Sequence, residues 1–291
     1  MTTRPIDKVR DRIAATIGTW GRGTTLDEMR DGFATLVSGG RRPVCLAADA
    51  GGIPAVWFGQ GDGVVFYCHG GGYQMGSIAS HGALMADIAA ASGTRVLGFD
   101  YRLAPEHRFP AALEDAVAVY RWLLDRGTDP ARIAFAGDSA GAGLAMATML
   151  QARDTGLPLP AAAAFLSPWI DMEARAETYD SRAELDPLTQ RFKVQMMVRT
   201  YMSRDGDPSV PLASPVNGDL AGLPPMLVHV GDHETVLGDT LLLRTRAAAA
   251  GVKVETVIWD EMIHHFQVFP ELPEARASIE QIGNWLKARI G

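Results

Sequence analysis

Ile133-Ala134-Phe135-Ala136-Gly137-Asp138-Ser139-Ala140-Gly141-Ala142-Gly143-Leu144-Ala145-Met146 is the stretch that decides how this chain is read. Its first four residues are continuously apolar, as in a strand covered on both faces. From Gly141 onward it is rich in Ala, Gly and Met and reads as a helix. Between the two, Gly137 to Gly141 fit Gly-x-Ser-x-Gly, a tight strand-to-helix turn. Gly137 and Gly141 leave room where strand and helix approach. Such a turn lifts the Ser139 hydroxyl above the sheet edge and aims a helix N-terminus at it, a favourable place for negative charge. The bare pattern also occurs in ordinary Gly-Ser turns, so the strand–turn–helix setting carries the argument.

Some seventy residues upstream, His69-Gly70-Gly71-Gly72-Tyr73 directly follows the apolar run Val64–Cys68. Glycine lets backbone N–H groups turn toward a substrate without a Cβ in the way. Gly71 and Gly72 are therefore expected oxyanion donors, with the Ala140 N–H as a third. His69 is expected to brace the loop.

Eight runs read as strands: Val44–Ala48, Ala55–Phe58, Val64–Cys68, Arg95–Phe99, Ile133–Ala136, Ala162–Leu166, Met226–Val230 and Val254–Trp259. The first two flank Gly51-Gly52 and predict a hairpin. From the third onward they alternate with helical patterns at about 82–91, 111–125, 141–153, 239–250 and 274–290. That alternation predicts an α/β architecture, a mainly parallel sheet with helices on both faces. Two segments fall outside it. Val9, Ile13, Ile17 and Trp20 recur at helical spacing, followed by a helix with Thr25 and Glu28 at capping-box spacing. A second insertion spans 172–211, with a helix near 188–202. These segments, 1–40 and 172–211, are expected to form two halves of a helical cap over a core of 41–171 and 212–291; the alternative is that they extend the core.

Bulk properties narrow the classes. At 291 residues the chain supports a large core, and its net charge of -7 disfavours nucleic acid as a partner. No apolar run approaches membrane-span length, and Met1 to Asp11 lacks a signal-like apolar region, so a cytoplasmic location is expected. Cys45 and Cys68 both lie in apolar runs and read as two buried structural thiols; no His/Cys cluster has zinc spacing. A homodimer paired through the C-terminal strand and helix is compatible with the sequence, but no residue demands it.

Taken together, several motifs in fixed order resemble the hormone-sensitive-lipase-like esterases (bacterial family IV) of the α/β-hydrolase fold. They are His69-Gly70-Gly71-Gly72, Asp100-Tyr101-Arg102-Leu103-Ala104-Pro105-Glu106, Phe109-Pro110-Ala111-Ala112, Gly137-Asp138-Ser139-Ala140-Gly141 and Ser167-Pro168-Trp169-Ile170-Asp171. The resemblance runs from about Gly61 to His264. It implies a Ser-acid-His hydrolase of small-molecule carboxylic esters, without a cofactor or metal and with a helical cap.

In that fold the acid and then the histidine follow the serine. Gly231-Asp232-His233-Glu234 resembles the family's Gly-x-x-Asp and puts the acid on Glu234, with Asp232 and Asp239 as competitors. Asp232 reads otherwise as a turn residue, and Asp239 as a charge at a helix N-terminus. Met262-Ile263-His264-His265-Phe266 resembles the family's His-Gly-Phe and puts the base on His264. His265 then stands where the family has glycine, which leaves open which ring points inward. His229 and His233 lie close to the acid, and His81 and His107 read as surface or capping residues. Asp100, Arg102, Glu106, Asp138 and Asp171 are expected to be structural. The expected chemistry is hydrolysis of short- to medium-chain esters through an acyl-enzyme. Lactone or small-amide hydrolysis with the same residues, and a non-catalytic binder on the same fold, are the alternatives.

Overall fold

In the computed structural model, which describes residues 4–291, the apolar runs pair into one eight-stranded sheet. The strands are β1 (Leu46–Asp49), β2 (Pro54–Phe58), β3 (Val64–Cys68), β4 (Arg95–Phe99), β5 (Ile133–Asp138), β6 (Ala162–Leu166), β7 (Met226–Gly231) and β8 (Val254–Trp259), in the order β1-β2-β4-β3-β5-β6-β7-β8. β1 and β2 form the expected hairpin, and β2 is also antiparallel to β4. All pairings from β4 through β3 to β8 are parallel. Met1, Thr2 and Thr3, which belong to the N-terminal stretch weighed as a signal and to the 1–40 segment, lie outside the described residues.

The chain crosses from β3 to β4 through α3 (Ile78–Ser92), then returns past β3 to β5 through α4 (Ala111–Asp125). β3 and β5 thus flank the point where strand order reverses, and the crevice beyond their carboxyl ends is where ligands bind in open α/β sheets. The remaining helices are α1 (Pro5–Ile17), α2 (Leu26–Ser38), α5 (Ala140–Asp154), α6 (Thr178–Ser181), α7 (Arg191–Tyr201), α8 (Leu237–Ala249) and α9 (Pro273–Ile290).

Alternation along the buried strands sorts the core into two layers. Phe66, Leu97, Phe135 and Phe165 pack with α4, α5 and α8, and the same cluster takes in Val194 and Tyr201 of α7. Val65, Tyr67, Val96 and Ala136 pack with α3 and α9, and this cluster takes in Val9, Ile13, Phe33 and Leu36 of α1 and α2. The two segments outside the βα alternation therefore grow from opposite faces of the sheet. The Thr25–Glu28 capping box forms: the Glu28 carboxylate accepts the Thr25 N–H at 2.8 Å. Among the described residues, no helix is long and apolar enough to cross a membrane.

Several expectations need correction. β1 starts at Leu46 rather than Val44, and Cys45 is exposed rather than buried. The cause is its position: β1 is an edge strand paired only with β2, and Val44 is 96% exposed despite its apolar side chain. α1 stops at Ile17, so Trp20 falls in the turn that follows, and the insertion helix begins at Arg191 instead of Leu188. His81 is fully buried in α3, neither a surface nor a capping residue.

Candidate active site

Ser139 sits directly after β5, with φ 52° and ψ -123°. Side chains avoid that left-handed region, and such strain concentrates at functional sites. The turn closes so tightly that a Cβ on Gly141 would run into the carbonyls of Cys68 and His69. Glycine there lets α5 start against the end of β3. Because Cys68 pairs with Gly137 in register, the glycine loop after β3 and Ser139 after β5 emerge side by side.

Two loops from farther along the sheet reach the serine. His264 Nε2 lies 2.8 Å from Ser139 Oγ, and its Nδ1 lies 3.0 Å from Glu234 Oε2. Glu234 follows β7 and His264 follows β8. The other carboxylate oxygen, Oε1, accepts the Gly231 N–H at 2.5 Å and the Ser167 hydroxyl at 2.7 Å. Ser167 Oγ in turn accepts the His265 N–H at 3.0 Å. The network suits a His264 tautomer with its proton on Nδ1, donated to Glu234, and a free Nε2 facing the serine hydroxyl.

Burial works against charge on both members of the pair. It pushes the Glu234 carboxyl up, although the donors around it pull back. For His264 burial alone would lower the pKa, but the hydrogen bond and charge of Glu234 outweigh it and leave the imidazole above its ordinary value. Neither Asp232 nor Asp239 hydrogen-bonds His264. Asp232 accepts the Glu261 N–H in a turn, and Asp239 accepts the N–H groups of Ile170 and Asp171, both at 3.0 Å.

The glycine loop is held from below. Asp138 Oδ1 accepts the Gly70 N–H at 3.0 Å and the Tyr67 hydroxyl at 2.7 Å, and Oδ2 faces His81 Nε2 at 3.2 Å. Burial disfavours its ionisation, yet His81 and the Tyr67 hydroxyl hold the carboxyl well below the usual range. His69 braces the loop as expected. Its ring stacks on Tyr101 at 4.1 Å, and burial lowers its pKa to about 3. Among the described residues, no acceptor meets the N–H groups of Gly71 and Gly72, and Ala140, first in α5, has no acceptor within its helix. Gly71 has φ 117°, and a Cβ there would strike the Met75 carbonyl.

A cavity of about 320 Å³ opens onto Ser139, Gly71, Gly72 and His264. Phe33 and Leu36 of α2 line it on one side, and Phe192, Met196 and Met197 of α7 on the other. Arg30 of α2 donates to Gln74 O and to Glu106, while Asp186 accepts the Thr235 N–H beside Glu234. Both flanking segments are thus tied to the loops that carry the site. A larger, more open groove along α4, lined by Leu113, Val117 and Arg121, contains none of these side chains.

Nothing local in the sequence marks Ser167 or Asp186 as partners of Glu234 or its neighbour Thr235. Ser167 lay inside a recognised motif, but only the fold brings it to Glu234. The other histidines have separate surroundings: His229 bonds Ser278, His233 bonds Arg10, and His107 is exposed. Donor atoms of His81, Asp138 and His265 lie within 4.8 Å of one another, a spacing that a small cation can bridge. Tyr67, Gly70 and His81 already occupy the Asp138 carboxylate, so an ion there would displace existing bonds.

A family model described as alpha/beta hydrolase fold matches residues 65–268. The chain is 44% identical over 228 residues to a curated "Acetyl-hydrolase" of Streptomyces hygroscopicus, covering 78% of this chain and 76% of that protein. A solved "esterase from the bacterial hormone-sensitive lipase (HSL) family" superposes with a TM-score of 0.95 at 44% identity, covering 100% of both chains. A structure of EstE5 "soaked by p-nitrophenyl butyrate" superposes at 0.90 and 39% identity, covering 99% of each.

Proposed function

This chain belongs to the α/β-hydrolase fold family, among the carboxylic-ester hydrolases of bacterial hormone-sensitive-lipase type, and on that premise we propose that it cleaves short- to medium-chain esters through an acyl-enzyme on Ser139. On this reading Ser139 Oγ attacks the ester carbonyl carbon while His264 Nε2 takes the hydroxyl proton. Glu234 holds the imidazole by its Nδ1–H and stabilises the imidazolium that forms. The N–H groups of Gly71, Gly72 and Ala140 receive the developing oxyanion. Collapse expels the alcohol, which takes the proton from His264, and water then repeats the sequence on the acyl-enzyme.

The observation that carries this reading is the unbroken contact chain from Ser139 through His264 to Glu234, at 2.8 and 3.0 Å. Segments 1–40 and 172–211 act in it as two halves of a cap, supported by the residues that both contribute to the cavity. The compact cavity, about 320 Å³, favours short and medium acyl groups over long ones. A cytoplasmic location belongs to the same reading and does not enter the chemistry.

Turnover of p-nitrophenyl butyrate by the parent protein and by Ser139→Ala tests it. The expected loss in kcat is about 10⁴-fold or more. Equal turnover by both proteins would overturn the assignment.

A further inference from the structure

His265 occupies a backbone conformation that suits glycine, with φ 40° and ψ 42°, yet it carries a full imidazole. That ring is not engaged in the hydrogen-bond relay. It stands edge-on to His264, 5.1 Å between centroids, and its Nδ1 lies 3.7 Å from Asp138 Oδ2 without a hydrogen bond. Two aromatic rings also flank it, Phe33 stacked at 6.3 Å and Phe269 at 6.4 Å, with His81 nearby. Burial lowers its pKa to about 3, so the ring is neutral at ordinary pH.

The ring lines the cavity beside Ser139. The cavity has a buried side and an open one. Phe33, Leu36 and His265 are each no more than 6% exposed, whereas Phe192 and Met196 at the mouth are 60% and 62% exposed. In an acyl-enzyme mechanism the alcohol departs first and must reach solvent, while the acyl group stays on the serine. The open side therefore suits the leaving alcohol and the buried side the acyl chain.

We propose that the His265 ring, backed by Phe33, is the end wall that limits the length of acyl chain the site accepts. The proposal rests on Ser139 as the nucleophile. A glycine at 265 fits the observed backbone without strain and keeps the N–H that Ser167 accepts. It removes only the ring. Phe33→Ala opens the same end from α2, away from the loop that carries His264.

The test is a series of p-nitrophenyl esters from acetate to decanoate, assayed on the parent, His265→Gly and Phe33→Ala. The readout is the ratio of kcat/KM for octanoate to that for acetate. Methylene-sized changes in apolar pockets shift such ratios by about tenfold or more each, so both variants are expected to raise it at least tenfold. An unchanged ratio in both variants would overturn the proposal, whatever the absolute rates. If His265→Gly lacks turnover, Phe33→Ala decides: a raised ratio supports the wall and an unchanged one overturns it. Failure of the underlying assignment gives a different signature, Ser139→Ala hydrolysing acetate at the parent's rate.

Discussion

Asp138 Oδ1 accepts the Gly70 backbone N–H at 3.0 Å, so the residue preceding Ser139 also fixes the loop that follows β3. The Ser139 turn and the glycine loop are thereby registered on one buried carboxylate. Asp138→Ala would leave the Gly70 N–H, the Tyr67 hydroxyl and His81 Nε2 without that partner. Each unsatisfied buried polar group costs about 1–3 kcal/mol, so thermal and urea denaturation should show a loss of about 3 kcal/mol or more. Asp138→Asn keeps an acceptor for Gly70 and Tyr67 and should retain most of that stability. An alanine variant as stable as the parent would contradict the registering role.

On the proposed mechanism, the raised pKa of His264 sets the acid limb of the pH profile. Below that pKa the imidazole is protonated and cannot accept the serine proton, so kcat/KM should fall as pH drops through a value above histidine's ordinary 6.5. Glu234→Gln removes the negative charge that favours the imidazolium. Its limb should move to lower pH, with kcat reduced by about 10³-fold or more. A profile flat from pH 5 to 8, or a limb unmoved in Glu234→Gln, would count against the pairing.

Asp239 makes the opposite kind of contribution to stability. Burial raises its carboxyl to about 8 despite the backbone N–H groups of Ile170 and Asp171, and the nearby Asp171 adds to the rise. A carboxyl whose pKa is higher folded than unfolded binds more protons in the native state. Its contribution therefore weakens as pH rises from about 4 to about 8. Asp239→Asn, still an acceptor for both N–H groups, should raise Tm at pH 8–9, with the gain shrinking toward pH 4. A gain independent of pH would show that ionisation is not the cause.

The strands from β3 to β7 were legible because both their faces are buried, which writes them as largely apolar runs; three of those five begin and end where that pattern does. The start of β1 was not, because Val44 and Cys45 are apolar residues on an exposed edge, where composition and burial part company. Among the candidate site residues, Ser139 and the Gly71-Gly72 pair were readable from local turn chemistry. Glu234 and His264 needed a family pattern, since they come from loops 95 and 125 residues beyond the serine, and only β6, β7 and β8 laid side by side bring them back. Of the two neighbouring rings His264 faces Ser139, and the left-handed turn at 265 sends the second ring toward Asp138 and Phe33. Ser167, its hydroxyl 67 residues in sequence from the carboxylate it supports, had no local signature at all.

A covalent adduct would locate the nucleophile, proposed to be Ser139. The protein would be inactivated with diethyl p-nitrophenyl phosphate, digested and mapped by mass spectrometry. One diethylphosphoryl group per chain is expected, on Ser139, in proportion to lost esterase activity and absent from Ser139→Ala. Complete inactivation with the label on another residue, or with Ser139 unmodified, would contradict it.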